Sequence, residues 1–239
     1  MLFPASVYLN TLCYPLKERA ETRPYVKRGL LCFDLDNTLI KSNRCHLHAY
    51  QLAFKKNKVK KTIANKHILQ YFGEGSRRMV QRLFPRASPS FIDQLVSDHD
   101  MFVRTKTSRE SKIMPGARTV LNKLRKQWTL ALVSNCNHGN ILALLKAVHI
   151  PWRWFSVIVG QDQVKHPKPA PDELLKTEHL LHRKAAYFIG DSIYDVRAGR
   201  RAKVKVIAIP SGVHTRKQLQ REKPFALCKN LKEVLSVIQ

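Results

Sequence analysis

Acidic residues are scarce in this chain, and long apolar stretches are absent. Its 239 residues contain 17 Asp and Glu against 43 Lys and Arg. No apolar stretch approaches the roughly 18 residues that a membrane-spanning helix needs, and the first residues lack the basic segment of a secretion signal. The five cysteines form no Cys-x-x-Cys pair, which argues against a disulfide framework and against a zinc site of the usual spacing. We therefore expect a folded cytoplasmic protein that contacts no membrane.

The shortage of acids leaves a formal net charge of +26, and a charge of this size attracts polyanions at low salt. The densest basic run is 55–61, and such runs more often form a solvated face than a specific site. No known nucleic-acid-binding motif accompanies the charge. Nucleic-acid binding therefore stays an open alternative and is not the favoured function.

Four short polar clusters each follow an apolar run, and these clusters carry the functional signal. A short apolar run bounded by polar residues is typical of a buried strand. Each cluster is therefore predicted to begin where a strand ends. The clusters are Asp34–Thr38 after Gly29–Phe33, Ser134-Asn135 after Thr129–Val133, His166–Asp172 after Ser156–Gly160, and Gly190–Asp195 after Ala186–Ile189.

The first cluster presents two carboxylates to one side of a strand end. Side chains alternate along a strand that rises about 3.3 Å per residue, so Asp34 and Asp36 leave on the same side, roughly 7 Å apart. In a parallel α/β sheet, the loops and helix amino termini that follow the strands meet at one edge. Together the clusters supply acids, a hydroxyl and a lysine, a set suited to a divalent cation and a phosphate.

Hydrophobic spacing divides the chain into three parts. Residues 1–28 carry three prolines and predict an irregular N-terminal extension. Residues 43–111 have apolar residues at helical spacing and predict an inserted α-helical cap over the strand ends. Residues 29–42 and 112–239 are then expected to form the α/β catalytic core.

Strand and helix patterns alternate within this core. The alternation predicts a Rossmann-like α/β fold, in which a parallel sheet has helices on both faces. After it, Asn230 is the predicted N-cap of a terminal helix that runs to Gln239. The predicted strands are 129–133, 156–159, 186–190 and 204–209, and the predicted helices are 117–126, 139–147, 172–182 and 193–201.

The four clusters, in this order and at these strand ends, resemble the signature of the haloacid dehalogenase superfamily of phosphohydrolases. That signature is an Asp-x-Asp-x-Thr strand end, a Ser or Thr, a Lys, and an ending of the Gly-Asp-x-x-x-Asp type. The resemblance runs from about Gly29 to Gly212. The helical insert is similar to that of the cap-bearing branch, which includes phosphoglycolate phosphatases and β-phosphoglucomutases. One departure is Lys41-Ser42, because relatives commonly place an acid shortly after the first cluster.

The resemblance implies a role in phosphoryl transfer for each cluster. Asp34 is the implied nucleophile, which forms an aspartyl-phosphate. Asp36 is the implied general acid, which protonates the leaving oxygen and later takes a proton from water. Ser134 and Lys168 are implied to hold the transferring phosphoryl group.

The same resemblance implies Mg²⁺ as the cofactor. Mg²⁺ prefers hard oxygen ligands and keeps several waters, so a few carboxylates suffice. Asp34, the backbone carbonyl of Asp36, and Asp191 are the implied direct ligands. Asp195 lies one helical turn after Asp191 and would support the metal through water or a hydrogen bond. Its alternative role is that of an acid that stabilises the first turn of a helix.

Five further residues are weaker candidates. Thr38 and Asn135 are placed to bind phosphate or, equally, to satisfy backbone groups. In the cap, Arg77 could reach the far end of an anionic substrate or, equally, form an ordinary surface pair at the start of a helix. His46 falls where sugar-phosphate mutases of this branch carry a histidine, although a histidine without a catalytic role is the preferred interpretation. Cys136 has no histidine in its context to activate it and is expected to be a bystander.

The predicted function is that of a Mg²⁺-dependent phosphatase that hydrolyses a small phosphorylated metabolite, such as phosphoglycolate or a sugar phosphate. That substrate is the expected partner, and a monomer or homodimer is the expected assembly. A sugar-phosphate mutase shares every core residue and stays an alternative, as does a nucleic-acid-associated phosphatase that uses the basic charge. Dehalogenation is disfavoured because it needs neither Asp36 nor a metal.

Overall fold

The computed structural model describes residues 28–238, so residues 1–27 of the predicted N-terminal extension lie outside the described part of the chain. The described residues include eight strands. They are β1 (Leu30–Phe33), β2 (Ile40–Lys41), β3 (Lys112–Ile113), β4 (Thr129–Ser134), β5 (Val157–Gly160), β6 (Ala185–Gly190), β7 (Lys205–Ala208) and β8 (Ala226–Leu227).

Six strands form one sheet in the order β5-β4-β1-β6-β7-β8, and every neighbouring pair in it is parallel. β1 lies between β4 and β6, with Cys32 level with Ala131 on one side and with Phe188 on the other. Because all six strands point the same way, the residues that follow β1, β4 and β6 meet at one edge. The predicted Rossmann-like α/β fold is confirmed.

Ten α-helices of the described residues accompany the strands. None of them is long and apolar enough to cross a bilayer. In chain order they are α1 (Asn43–Lys56), α2 (Asn65–Leu69), α3 (Ser76–Leu83), α4 (Pro89–Phe102), α5 (Ala117–Leu124), α6 (His138–Ala147), α7 (Asp172–Leu181), α8 (Ile193–Ala202), α9 (Arg216–Arg221) and α10 (Val234–Val237).

Alternation along β1 builds an apolar layer on each face of the sheet. Leu31 and Phe33 belong to one cluster, which includes buried residues of α5, α6 and α10. Leu30 and Cys32 belong to a second cluster, which includes buried residues of α7, α8 and α9. Since these four side chains are fully buried on both faces, β1 is fixed in the centre of the molecule and holds the residues that follow it in place.

Helices α1 to α4 form the insert and share an apolar core of their own, which includes Phe54, Ile68 and Leu95. A π-helical turn over 103–107 and a 3-10 turn over 108–110 lead the chain back. β2 and β3 pair antiparallel at the start and end of the insert, with Ile40 opposite Ile113. The insert is helical, as its apolar spacing predicts, and its division from the core as a separate domain stays a prediction.

The structure adds short elements that the sequence pattern did not predict, namely β2, β3, β8 and α9. Strands of two residues show no measurable alternation, so they leave no signal. The C-terminal helix is also shorter than predicted: it begins with a 3-10 turn over 231–233 and ends at Val237, because Ile238 adopts an extended backbone. Asn230 caps it as expected, since its side chain accepts the N–H groups of Lys232 and Glu233.

Candidate active site

Asp34 and Asp36 leave the carboxyl end of β1 and line the same cavity. The Asp34 N–H donates to the Ile189 carbonyl of β6 at 2.8 Å, which extends the sheet one residue beyond β1. After Asp36 the chain turns at Asn37, whose φ of 58° lies in a region that asparagine tolerates better than most residues. The end of the strand therefore holds Asp34, and the turn holds Asp36.

Lys168 reaches Asp34 from the loop after β5. Its ammonium donates to Asp34 Oδ1 at 2.7 Å, to Asp195 Oδ1 at 2.7 Å and to the Val133 carbonyl at 3.2 Å. Burial disfavours the charge of this side chain, but the carboxylates of Asp195 and Asp34 raise the pKa of Lys168 above its ordinary value. Lys168 is therefore a fixed positive charge beside Asp34.

Asp34, Asp191 and Asp195 form a buried acidic cluster, in which one oxygen of each carboxylate lies within 4.8 Å of the others. Burial raises the pKa of Asp34 to about 7, opposed by Lys168 and reinforced by nearby carboxylates. Burial, and then the charges of Asp34 and Asp195, also raise the pKa of Asp191. One ammonium thus faces three carboxylates. This donor set fits a divalent cation, which prefers hard oxygens and would balance the excess negative charge.

Asp195 has two roles: it accepts a hydrogen bond from Lys168, and it stabilises the start of α8. Its Oδ2 accepts from the Ser192 N–H at 2.9 Å and from Ser192 Oγ at 2.6 Å, while its own N–H donates to Ser192 Oγ at 3.2 Å. This reciprocal arrangement is a capping box. The helix-stabilising role that the sequence left open is therefore present, and support of a metal by Asp195 stays a prediction.

Asp36 contacts polar groups at the start of α1. Ser42 Oγ donates to Asp36 Oδ1, and His46 Nε2 lies 3.1 Å from the same oxygen. Burial would raise the pKa of Asp36, but the attraction of His46 and these hydrogen bonds lower it below its ordinary value. The structure thus brings the predicted residue His46 next to the implied general acid.

The hydroxyls of Ser134 and Thr38 have different partners. Ser134 Oγ accepts from the Cys136 N–H at 3.1 Å, which leaves its own proton free to donate into the cavity that it lines. Thr38 Oγ1 donates to Asp191 Oδ1 at 3.3 Å and so orients that acid. Burial raises the pKa of the Cys136 thiol well above its ordinary value, which agrees with its interpretation as a bystander.

Asn135 holds the cap against the core. Its amide Nδ2 donates to the Gly73 carbonyl at 2.7 Å and to the Lys168 carbonyl at 3.0 Å. Beside it, the Tyr194 hydroxyl of α8 donates to Glu74 Oε1 at 2.8 Å. Because these two carbonyls use both hydrogens of the Asn135 amide, the side chain here satisfies backbone groups, which is the alternative that the sequence left open, and its binding of phosphate stays a prediction.

Arg77 does not reach the cavity. Its guanidinium pairs with Asp93 of α4, and its side chain is 48% exposed. Successive residues of a helix point in directions about 100° apart, and the next residue, Arg78, is the one that turns to the core, where it donates to the Lys168 carbonyl at 3.4 Å. Arg77 thus forms the surface pair that the sequence left open, and its contact with the substrate stays a prediction.

The cap and the core enclose a cavity of about 80 Å³. Asp34, Asp36, Lys168 and Asp191 give its core side charged groups. The cap lines it mainly with uncharged side chains, which limit the contact of the acids with bulk water. These cap residues include Tyr50, Tyr71, Phe72, Ser76 and Met79.

Several polar residues near the site belong to none of the four clusters. His99 Nε2 lies 3.1 Å from His46 Nδ1, and His99 Nδ1 lies 2.9 Å from Asp100 Oδ1. Glu173 is completely buried in the first turn of α7. Only one feature of the sequence could have predicted that His99 is buried. It lies four residues after Leu95, and residues four apart share one face of a helix, so a helix that buries Leu95 also buries His99.

Residues 31–209 match the family model of the haloacid dehalogenase-like hydrolases. This match spans more than half of the chain, so the chain belongs to that family. It is a hydrolase of the phosphatase type, which acts on phosphoric monoesters.

Curated relatives match most of the chain. It is 27% identical over 217 residues to a putative pyrophosphatase, PpaX, of Caldanaerobacter subterraneus subsp. tengcongensis, which covers 90% of this chain and 96% of the relative. It is 26% identical to a phosphoglycolate phosphatase of Photorhabdus laumondii, over 87% of this chain and 91% of that protein. Among solved structures, a putative haloacid dehalogenase-like hydrolase from Bacteroides fragilis has a TM-score of 0.79 at 22% identity, over 86% of this chain and 99% of that one. At that identity the likeness shows the fold.

Proposed function

We propose that this enzyme is a Mg²⁺-dependent phosphatase that hydrolyses a small phosphate monoester through a phosphorylated Asp34. The observation that carries the proposal is the meeting of Asp34, Lys168 and Asp191 at one buried point, although the three residues are widely separated in the chain. A nucleophilic carboxylate, a fixed cation and a metal-binding acid are groups that in-line phosphoryl transfer uses.

In the first half of the reaction, an Asp34 oxygen attacks phosphorus, and the bond to the leaving oxygen breaks as that oxygen takes a proton from Asp36. The Asp36 side chain can meet a leaving group in the cavity because it is 28% exposed, against 8% for Asp34. Since His46 and Ser42 lower the pKa of Asp36, the proposal requires that Asp36 takes up a proton when the substrate binds. Lys168 and the Ser134 hydroxyl hold the phosphoryl oxygens. The products are an aspartyl-phosphate and an alcohol.

In the second half, Asp36 is a carboxylate and takes a proton from water, whose oxygen attacks phosphorus. The bond between phosphorus and Asp34 breaks, inorganic phosphate leaves, and both acids return to their starting states. The cap limits the water in the cavity, so the intermediate meets an oriented water and little bulk solvent.

Asp34, the backbone carbonyl of Asp36, and Asp191 would hold Mg²⁺, with Asp195 in support. When bound, the cation balances charge on the phosphoryl oxygens and keeps the nucleophile ionised. The second effect matters because burial raises the pKa of Asp34 to about 7. Without a cation, burial favours the protonated form of Asp34, and Lys168 alone opposes it.

A small substrate suits the cavity of about 80 Å³. Since roughly 10–15 Å³ of such space holds one water, the cavity accommodates several atoms the size of water, which suits a phosphoryl group and a small leaving group. Relatives named as a pyrophosphatase and a phosphoglycolate phosphatase favour substrates of this size. The net charge of +26 would speed the encounter with such anions, in keeping with an enzyme of cytoplasmic metabolites.

Release of inorganic phosphate from 2-phosphoglycolate, pyrophosphate and sugar phosphates, each with and without Mg²⁺, tests the proposal. We expect Mg²⁺-dependent release that Asp34→Asn abolishes while the circular dichroism spectrum is unchanged. Asp93→Asn, on the outer side of the cap, is the matched control and should retain activity. Isomerisation of a sugar phosphate without phosphate release would overturn the proposal in favour of the mutase alternative.

A further inference from the structure

A row of hydrogen-bonded side chains lies behind Asp36. His46 Nε2 is 3.1 Å from Asp36 Oδ1, and His46 Nδ1 is 3.1 Å from His99 Nε2. The row continues from His99 Nδ1 to Asp100 Oδ1 at 2.9 Å. His99 is 1% and Asp100 4% exposed, and neither lines the cavity. Neither residue has a part in the reaction steps above.

The far end of the row fixes the direction of its hydrogen bonds. The Arg104 guanidinium can only donate, and it lies 3.3 Å from Asn140 Oδ1, so the Asn140 Nδ2 group faces Asp100 Oδ1 at 2.7 Å. Asn137 Nδ2 donates to Asp100 Oδ2. Asp100 is therefore an acceptor at both oxygens, and it accepts a further hydrogen from His99 Nδ1.

The hydrogen bond from His99 to Asp100 determines which nitrogen of His46 donates. Burial lowers the pKa of His99, although Asp100 partly offsets the effect, so the ring is neutral and carries one N–H. That N–H lies at Nδ1, which makes Nε2 an acceptor, and His46 Nδ1 must donate to it. In the state that donates to the leaving group, Asp36 carries its proton on Oδ2, so Oδ1 can only accept and the proton between His46 Nε2 and Oδ1 lies on His46.

We propose that His99 and Asp100 are positioning residues for the general acid: acting through His46, they occupy Asp36 Oδ1 and leave Oδ2 to exchange protons with the leaving group and with water. Ser42 Oγ bonds the same Oδ1 atom, which supports this division between the two oxygens. No proton has to travel along the row. One proton leaves Oδ2 with the alcohol and one returns to it from water. The inference rests on the function proposed above.

Packing holds the two histidine rings in this arrangement. His99 stacks on Tyr50 with ring centroids 3.9 Å apart and on His46 with centroids 5.2 Å apart. The row also crosses from core to cap and back, because His46 and His99 belong to α1 and α4, whereas Asp36 and Asn140 belong to the core. The orientation of Asp36 is therefore tied to the position of the cap on the core.

His99→Phe tests the inference, since Phe keeps the stacked ring and removes both nitrogens. Ethyl phosphate and acetyl phosphate are substrates of similar size, but the alkoxide leaving from the first needs a proton and the acetate leaving from the second does not. We expect kcat/KM of His99→Phe to fall about 100-fold for ethyl phosphate, a typical general-acid contribution, and less than about 5-fold for acetyl phosphate. Leu95→Ala, one helical turn earlier in the same apolar core, is the control and should affect both substrates equally.

Equal losses for the two substrates in His99→Phe, or no loss for either, would overturn the inference alone. Wild-type enzyme that, with Mg²⁺, hydrolyses neither these two substrates nor 2-phosphoglycolate, pyrophosphate or a sugar phosphate would overturn the proposed function and the inference with it. A second measurement does not depend on the variant being folded: NMR of the wild-type protein with isotope-labelled histidine should place protons on Nδ1 of both His99 and His46. A proton on Nε2 of His99 would contradict the inference.

Discussion

Glu173 should make the folded chain lose stability as the pH rises. Its side chain is completely buried at the start of α7, and neither carboxyl oxygen has a hydrogen-bond partner of normal geometry among the described residues. Burial raises the pKa of Glu173 from 4.5 to about 8; the Lys168 charge opposes this shift, and the charges of Asp34 and Asp195 reinforce it. Because the folded chain retains this proton at pH values where the unfolded chain has released it, the free energy of unfolding depends on pH.

The size of the effect follows from the two pKa values. Below pH 4.5 both states hold the proton, and above about pH 8 neither holds it. Between these values the unfolded chain has released the proton and the folded chain has not, so stability falls with rising pH by about 1.4 kcal/mol per pH unit, on the order of 5 kcal/mol in total. Glutamine has nearly the same shape and no proton to release. Glu173→Gln should therefore resemble the wild type at low pH and be more stable by on the order of 5 kcal/mol above the upper pKa.

Urea unfolding in Mg²⁺-free buffer at a series of pH values measures this difference. Leu174→Ala is the matched control, because it removes about 2–5 kcal/mol of packing at the neighbouring buried residue without adding a titrating group. Its deficit relative to the wild type should stay constant with pH. A stability difference between Glu173→Gln and the wild type that is the same at both ends of the pH series would refute the reasoning.

Two further substitutions address the metal site and the cap. A methyl group at Gly212 would overlap Asp191 Oδ2. Gly212→Ala should therefore displace this acid and raise the Mg²⁺ concentration for half-maximal activity by at least about 10-fold. An unchanged Mg²⁺ titration would show that Asp191 is not needed for the metal. Arg77→Ala should change kcat/KM by less than about twofold, because its exposed pair with Asp93 contributes little. A much larger loss in steady-state kinetics would return Arg77 to the substrate-binding residues.

The main strands were predictable because they are buried on both faces. The run at Thr129–Val133 differs from the observed β4 by one residue. A strand that is buried on both faces has an uninterrupted apolar sequence, so its position is easy to predict. β8 pairs with β7 over only two residues, Ala226 and Leu227, so its existence depends on its neighbour in the sheet and not on its own sequence. The same holds for β2 and β3, whose antiparallel pairing joins residues far apart in the chain.

The motifs predicted which residues meet in the site, but not what supports them. Asp34, Lys168 and Asp191 follow strand ends, and the sheet brings strand ends together regardless of sequence detail. His99 and Glu173 lie inside helices, where a polar residue in a single sequence looks like a surface position, and only tertiary packing shows that they are buried. The family and the phosphatase class are confirmed. The cofactor, the substrate, the cytoplasmic location and the assembly state stay predictions.

The antiparallel pair of β2 and β3 has a consequence for how such enzymes diversify. It brings the two ends of the insert side by side, with Lys41 opposite Lys112, and the six-stranded sheet takes no strand from the residues between them. A segment attached in this way can lengthen, shorten or be exchanged at small cost in loop entropy. Transplanting residues 43–111 between relatives would therefore exchange the wall that faces the leaving group and retain the acids that do the chemistry.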